Sequence, residues 1–248
     1  MKAAKLGNYD IVNLLLENDA DLDQVDHQDR TALITTIVYY SKHVEVIVYL
    51  LLKYGANVNK VDNEDCSALL YAVVRNKYNI VDMLLKNGAD DKDDALNQTL
   101  SESNNSMMLD LLLEHGANID HVDEEGDTIL MNAVFHNNIL ISRKLLNYRN
   151  NVNSVNNKRE TALMLAVKQN NIDMVDLLLR YKANVEILNK KNFTALMIAA
   201  KKAQNPIVER LLNSGKITIK DKNRALEVAI ENKNESTVEL IKNISQCL

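Results

Sequence analysis

Between Thr161 and Val185 the chain reads TALMLAVKQNNIDMVDLLLRYKANV, and its apolar residues fall into two runs. Ala162, Leu163, Ala166 and Val167 stand at i, i+1, i+4 and i+5, which places them on one side of a helix. Ile172, Val175, Leu178 and Leu179 repeat that helical spacing, and the polar KQNN between the two runs supplies turn residues. The pattern predicts a helical hairpin. Where GANVN follows at Gly55 and GANID at Gly116, a glycine supplies the left-handed conformation that stops the second helix.

The same pattern is written many times. TALMIAAKKAQNPIVERLLNSGK opens at Thr194, 33 residues after Thr161, and TILMNAVFHNNILISRKLLNYRN opens at Thr128, 33 residues before it. Starts of this kind fall at Thr31, Ser67, Asp94, Thr128, Thr161, Thr194 and Arg224. The last apolar residue of each second run falls at Leu16, Leu52, Leu85, Leu113, Leu146, Leu179, Leu212 and Ile241. Together they define eight copies in a single domain over 1–248, at about 1–25, 26–61, 62–93, 94–122, 123–155, 156–188, 189–219 and 220–248. A pair of two-turn helices cannot bury its apolar side alone, so each copy must serve as core for the next. Small residues at the position of Ala166, namely Thr36, Ala72, Thr99, Ala133, Ala199 and Ala229, suit close helix contact.

With its period near 33, its T-A-L starts, its second helices such as Val81 to Leu85 and Val175 to Leu179, and its GANVN and GADDK corners, the chain resembles the ankyrin repeat family over nearly its whole length. The resemblance implies an all-α fold, an ankyrin-repeat solenoid of stacked antiparallel helix pairs joined by β-hairpin-like loops. The family's T-P-L-H tetrapeptide is nowhere complete: Ala or Ile replaces its Pro, and Met, Leu, Ile or Asn its His. Arg149 and Lys182 stand where glycine is usual, and a side chain in the left-handed conformation costs about 1 kcal/mol.

Two copies break the period. Gly88 to Ala95 is 7 residues where Gly55 to Ala68 is 13, so a hairpin tip is expected to be missing, with Asp90 to Asp94 forming a solvated, shortened hairpin. Three extra residues between Thr31 and Ser67 are placed in YYSKHVEV, between the helices of that copy. The last copy is polar outside its inward apolar set, as a terminal cap requires. The first opens at KAAKLGNYDIV, already inside its first helix.

Composition sets limits on function. The net charge of −5 and the even mix of apolar and charged residues describe a folded, soluble chain, and a mildly acidic one argues against nucleic acid as partner. MKAAKLGNYD has no secretory apolar core and no apolar run approaches a membrane span, so the expected location is intracellular, cytoplasmic by default, without membrane insertion. Cys66 and Cys247 form no CxxC pair and read as free thiols. The phosphate-loop, zinc-protease and nucleophile-elbow motifs do not occur. His115, Asp120, His121 and Asp123 lie close in sequence, but a helix end and a hairpin do not share a face, and they are read as solvated positions. The Asp90 to Asp94 run lacks the glycine bend and final Glu of a calcium loop. No catalytic residue, metal site or cofactor is assigned.

The expected activity is therefore binding. The family resemblance implies recognition by the hairpin tips and the exposed side of each first helix. Carried onto this sequence, those positions include Tyr39, Arg75, Glu124, Glu125, Asp127, Phe135, His136, Lys158, Lys168, Lys190, Lys191, Phe193, Lys201 and Lys202. The tips pass from acidic at Glu124 to Asp127 to basic in the following copies, so the expected partner is a protein segment with apolar groups followed by acidic ones, bound by a monomeric scaffold or adaptor. A polyanion gripped by the lysines, or a regulatory role within a larger enzyme, are the alternative readings.

Overall fold

The Thr or Ser at the head of the regular copies is a cap before it is anything else. In a computed structural model that describes residues 1–39, 42–100, 106–148, 151–215 and 217–246, the hydroxyl oxygens of Ser67, Thr128, Thr161 and Thr194 accept the backbone N–H three residues on, at 3.1 to 3.4 Å. The asparagines in the turns do the same for the second helices: Asn8, Asn138 and Asn171 accept from Ile11, Ile141 and Met174. In the copies that begin at Thr128 and Thr161, both helices thus start with a side chain that satisfies an orphan donor.

The described chain packs as two compact units. The first, Met1–Asn118, holds α1 (Lys2–Lys5), α2 (Tyr9–Glu17), α3 (Ala32–Tyr39), α4 (Val44–Lys53), α5 (Ala68–Val74), α6 (Tyr78–Lys86), α7 (Lys92–Gln98) and α8 (Ser106–Glu114). The second, Ile119–Leu248, holds α9 (Ile129–Phe135), α10 (Ile139–Asn147), α11 (Ala162–Lys168), α12 (Ile172–Arg180), α13 (Ala195–Lys201), α14 (Asn205–Asn213), α15 (Ile219–Glu231) and α16 (Glu235–Gln246). Within each unit first helices stack on first helices and second on second: α3 on α5 and α5 on α7, α4 on α6, α11 on α13, α12 on α14. Extended structure among the described residues is limited to the isolated antiparallel bridges Val61 to Ser67 and Val122 to Thr128.

Close approach depends on the small residues. Thr36, Ala72, Thr99, Ala133, Ala166, Ala199 and Ala229 are all 0% exposed, and the branched residues that flank them, such as Ile37, Val73, Val134 and Val167, are equally buried. Thr36 and Thr99 return their hydroxyls to the carbonyls of Ala32 and Leu96 in the same helix, so neither leaves a buried polar group unmet.

The two irregular copies resolve differently from expectation. α3 and α4 are each one residue longer than most of their counterparts, and so is the stretch joining them, which spreads the three extra residues instead of gathering them in one loop; residues 40 and 41 lie outside the described set. Between Gly88 and Ala95 the tip is absent, but Asp90 to Asp94 is no solvated hairpin. Asp91 stands at the N-cap of α7, and Lys92, Asp93 and Asp94 form its first turn, so the helix begins ahead of the expected start at Asp94. A carboxylate-rich first turn suits the positive end of the helix. The last copy behaves likewise: α15 is capped by Thr218 and runs 13 residues, beginning before the expected start at Arg224. Lys182 takes the left-handed conformation at φ 63°, as its place after α12 demands; Arg149 and Cys247 lie outside the described residues.

Two positions break local rules. Ser142 on α10 is wholly buried and its hydroxyl has no hydrogen-bond partner, whereas the same position in other copies is Val48, Val81, Val175 or Val208, all 0% exposed. Ser142→Val is expected to raise stability by about 1–2 kcal/mol in urea unfolding, because it removes an unmet hydroxyl and restores the side chain for which the neighbouring geometry is shaped. Asp91 accepts from the Ser67 hydroxyl through one oxygen while the other is buried unpaired. Burial raises its pKa, the Ser67 bond opposes this, and the Asp90 and Asp94 carboxylates add to the rise. The folded state therefore holds this proton more tightly than the unfolded chain, and stability falls as pH rises through the elevated folded value. Asp91→Asn should make the protein more stable at neutral pH and flatten the decline in thermal midpoint as pH rises above the ordinary carboxylate range.

Candidate functional site

An aspartate or asparagine organises every complete hairpin tip. Asp26, Asp62, Asp123, Asn156 and Asn189 each donate their backbone N–H to the carbonyl four residues on, at 3.0 to 3.1 Å. Their side-chain oxygens accept the returning N–H of that same residue, Arg30, Cys66, Asp127, Glu160 and Phe193 respectively, at 2.8 to 3.1 Å. A left-handed residue closes each tip, at Asp29, Asp65, Gly126, Arg159 and Asn192. At Gly126 the choice is forced twice, since a Cβ there would come within 2.8 Å of the Asn157 side chain as well as sitting at φ 74°.

Successive tips are tied together. Asn63 donates its N–H to Gln28 O, Asn157 to Glu125 O and Lys190 to Lys158 O, each at 3.0 Å. In the second unit the side chains continue the chain of bonds: Asn156 Nδ2 donates to Asp127 Oδ1 at 2.7 Å, and Asn189 Nδ2 to Glu160 Oε1 at 3.5 Å. The Glu160 carboxylate, buried, also receives the Lys168 ammonium from α11. Burial raises the Asp127 carboxyl, with Asn156 opposing and the Asp123 carboxylate adding to the rise. In the first unit burial pushes Asp26 up, but the N–H donors of Gln28 and Arg30 and the Arg30 guanidinium outweigh it and hold the carboxyl below its usual range.

A second ladder runs along the ends of the first helices. Arg75 donates to Val38 O at 2.9 Å, Gln169 to Phe135 O at 2.8 Å, Lys202 to Lys168 O at 2.7 Å and Asn234 to Lys201 O at 3.0 Å. Each side chain covers an orphan carbonyl at the end of the preceding copy's helix, where a cation or an amide donor is favoured.

These ladders leave a defined set of side chains on the face made by tips and first helices. In the first unit Tyr39 is flanked by two cations, Lys5 Nζ at 4.1 Å from the ring centre and Arg30 at 5.4 Å, while Arg75 lies over Tyr71 at 5.6 Å. Lys5 and Arg30, in that order, lower the Tyr39 pKa, whereas burial and then Asp62 push that of Tyr71 up. In the second unit Phe135 is 66% exposed and meets His136 edge-on at 5.4 Å. Phe193 is half-buried beneath Lys201, 5.6 Å from its ring centre. Glu124, Glu125, Lys158, Lys190 and Lys191 are exposed at the tips. Asp127 turns inward to Asn156, and Lys168 and Lys202 are engaged as described. Exposed valines that precede the tip carboxylates and amides, Val25, Val61, Val122 and Val155, belong to this face too. Their signal in the sequence was an apolar residue immediately before each recurring Asp or Asn.

The residues considered for chemistry are placed by structure. His115 Nε2 lies 3.1 Å from Asp82 Oδ1, on α6, and Asp123 anchors a tip. Burial first, then the Asp62 and Glu64 carboxylates, push the Cys66 thiol up and keep it neutral. Among the described residues no three His, Cys, Asp or Glu side chains are grouped to hold a metal, and no helix is long and apolar enough to cross a membrane.

Each unit holds four antiparallel helix pairs among the described residues. The model of ankyrin repeats, in three copies, matches residues 1–95, 96–189 and 181–247. The chain belongs to the ankyrin repeat family. No curated protein matches it. Among solved structures 519 chains match, among them the crystal structure of the human ASB11 ankyrin repeat domain, at 24% identity and a TM-score of 0.69, over 86% of this chain and 96% of that one. Likeness at that identity speaks for the fold alone. Ankyrin repeats are generally protein–protein interaction modules.

Glu160→Ala, which removes the acceptor for both Asn189 and Lys168, is expected to lower stability by about 1–3 kcal/mol, and Glu160→Gln by less because an amide oxygen remains for Asn189. Chemical denaturation of the two variants against the parent measures the difference.

Proposed function

We propose that this ankyrin chain is a non-catalytic scaffold or adaptor that binds a protein partner on the face of hairpin tips and first helices. The observation that carries the reading is Phe135, a large ring left 66% exposed at the end of a first helix whose other apolar residues are buried. Leaving such a ring in water forgoes about 1–2 kcal/mol that a partner can recover by covering it. Phe193 is the second anchor, two copies on. Between and beside the two rings stand Lys158, Lys190, Lys191 and Lys201, so the partner is a segment that presents apolar groups followed by acidic ones. Tyr39, with its two flanking cations, offers a comparable aromatic and basic surface on the first unit.

A polyanion is the competing ligand for the same lysines. It is disfavoured because Lys168 is held by the buried Glu160 carboxylate and Lys202 by a helix-end carbonyl, which removes two of the six basic heads from free use. Salt separates the readings: a polyanion loses affinity steeply with ionic strength, in proportion to the phosphates it presents, and an aromatic-anchored protein segment does not.

The test is quantitative affinity capture with the parent and with Phe135→Ala and Phe193→Ala. Each substitution should reduce recovery of the specific partner about tenfold or more while helical content and thermal midpoint stay unchanged. If the double variant retains the same proteins at the parent's level, the face is wrongly assigned.

A further inference from the structure

The second helices of the first unit carry a surface that the proposed function does not use. Their outward side leaves Val46 and Tyr49 on α4 and Met107 on α8 exposed, the last two at 55% and 69%. In the second unit α10, α12, α14 and α16 expose only Leu140 among their described large apolar residues. The architecture assigns the same outward positions in both units, so the difference lies in the residues and not in the fold.

Charge differs in the same sense. The first unit's second helices hold Asp10, Glu17, Glu45, Asp82, Asp110 and Glu114 against Lys53 and Lys86. Those of the second unit are balanced, with Asp173, Asp176, Glu209, Glu235 and Glu239 against Arg143, Lys144, Arg180, Arg210 and Lys242.

Apolar and acidic residues meet in two open grooves on either side of α6. One, between α4 and α6, is lined by Glu45, Val46, Tyr49 and Met83; the other, between α6 and α8, by Met107, Asp110, Leu111 and Glu114; Asn79 and Asp82 border both. At about 400 and 420 Å³, each has room for one or two side chains. Asp82 is partly met by Lys86 and His115, at 2.6 and 3.1 Å. Glu45, Asp82, Asp110 and Glu114 together make the rim predominantly acidic.

We infer that α4, α6 and α8 form a second docking surface, which takes an amphipathic helix whose apolar side chains enter the two grooves and whose lysines or arginines meet the acidic rim. The dimensions agree: three neighbouring helices at about 8–10 Å between axes span about 16–20 Å from first axis to last, which a helix of about 18 residues, about 27 Å long, crosses completely. Acidic rims disfavour an anionic membrane, since like charges repel, and they disfavour a second copy of the same acidic face.

Fluorescence anisotropy with labelled peptides of about 18 residues tests this on the full chain. One peptide places Leu at helical i, i+3, i+4, i+7 spacing with Lys elsewhere, a second replaces Lys by Glu, and a third scrambles the first. The first should bind at least tenfold more tightly than the others. Tyr49→Ser with Met107→Ser, both exposed positions that folding does not need, should weaken it tenfold or more. Glu45→Gln, Asp110→Asn and Glu114→Gln together should weaken it and flatten its salt dependence. Phe135→Ala should leave it unchanged, so failure here is distinct from failure of the face of tips and first helices. Equal binding of all three peptides, no binding of the first, parent-like affinity in the variants, or self-association through this face in sedimentation each overturns the proposal.

Discussion

Everything in this molecule rests on how closely one first helix can approach the next. A helix of seven residues has too little surface to hold itself together, and its stability comes from a neighbour set near enough to cover it. That distance is fixed by residues without bulk: Ala72, Ala133, Ala166 and Ala199, and Thr36 and Thr99 folded back onto their own carbonyls. Once the helices are that near, the tips are near as well, and backbone groups of consecutive hairpins pair at 3.0 Å. The Asp and Asn ladders are a consequence of the alanine contact as much as a cause of order.

Close stacking also explains which departures from the repeat are tolerated. The missing tip at Asp90 to Asp94 does not open a gap in the stack of first helices, because α7 still presents Ala95, Leu96 and Thr99 inward and gains a turn at its start. What is lost is the exposed end of the copy. Ser142 is a change of the opposite kind, with geometry preserved and chemistry altered, and it places an unmet hydroxyl where five other copies place Val.

Much of this was legible in the sequence because helical periodicity and a 33-residue repeat are both carried by apolar residues that the fold must bury. The buried set around Ala166 and its equivalents follows directly from the spacing. Helix starts were legible only where Thr or Ser caps them. At Asp94 and Arg224 the repeat register holds but the helices begin earlier, since polar residues ahead of the first apolar one are as compatible with a helical turn as with a hairpin. The tip ladder was harder to see. Asp26, Asp62, Asp123, Asn156 and Asn189 recur at the right places, yet charge and polarity alone suggest solvent, and only the returning N–H groups reveal that they are buried in bonds.

That ambiguity between solvated and engaged polar groups bears on recognition. Read as a string, the second unit is lysine-rich, and a lysine-rich wall suggests an anion. In the structure Lys168 is spent on a buried carboxylate and Lys202 on a helix-end carbonyl, and Lys201 rests over an aromatic ring. What remains on that face is a mixture of the exposed Phe135 ring, the half-buried Phe193 ring, a few lysines and the acidic tip at Glu124 and Glu125. Such a mixture favours a ligand that is itself apolar and charged in sequence, as a polypeptide is, over one that repeats a single charge. The same reasoning separates the outward face of α4, α6 and α8, where apolar and acidic residues share one surface with few cations to answer them. A repeat protein can hold two unlike surfaces because its core positions are fixed by stacking while the outward positions of each copy are left free to vary.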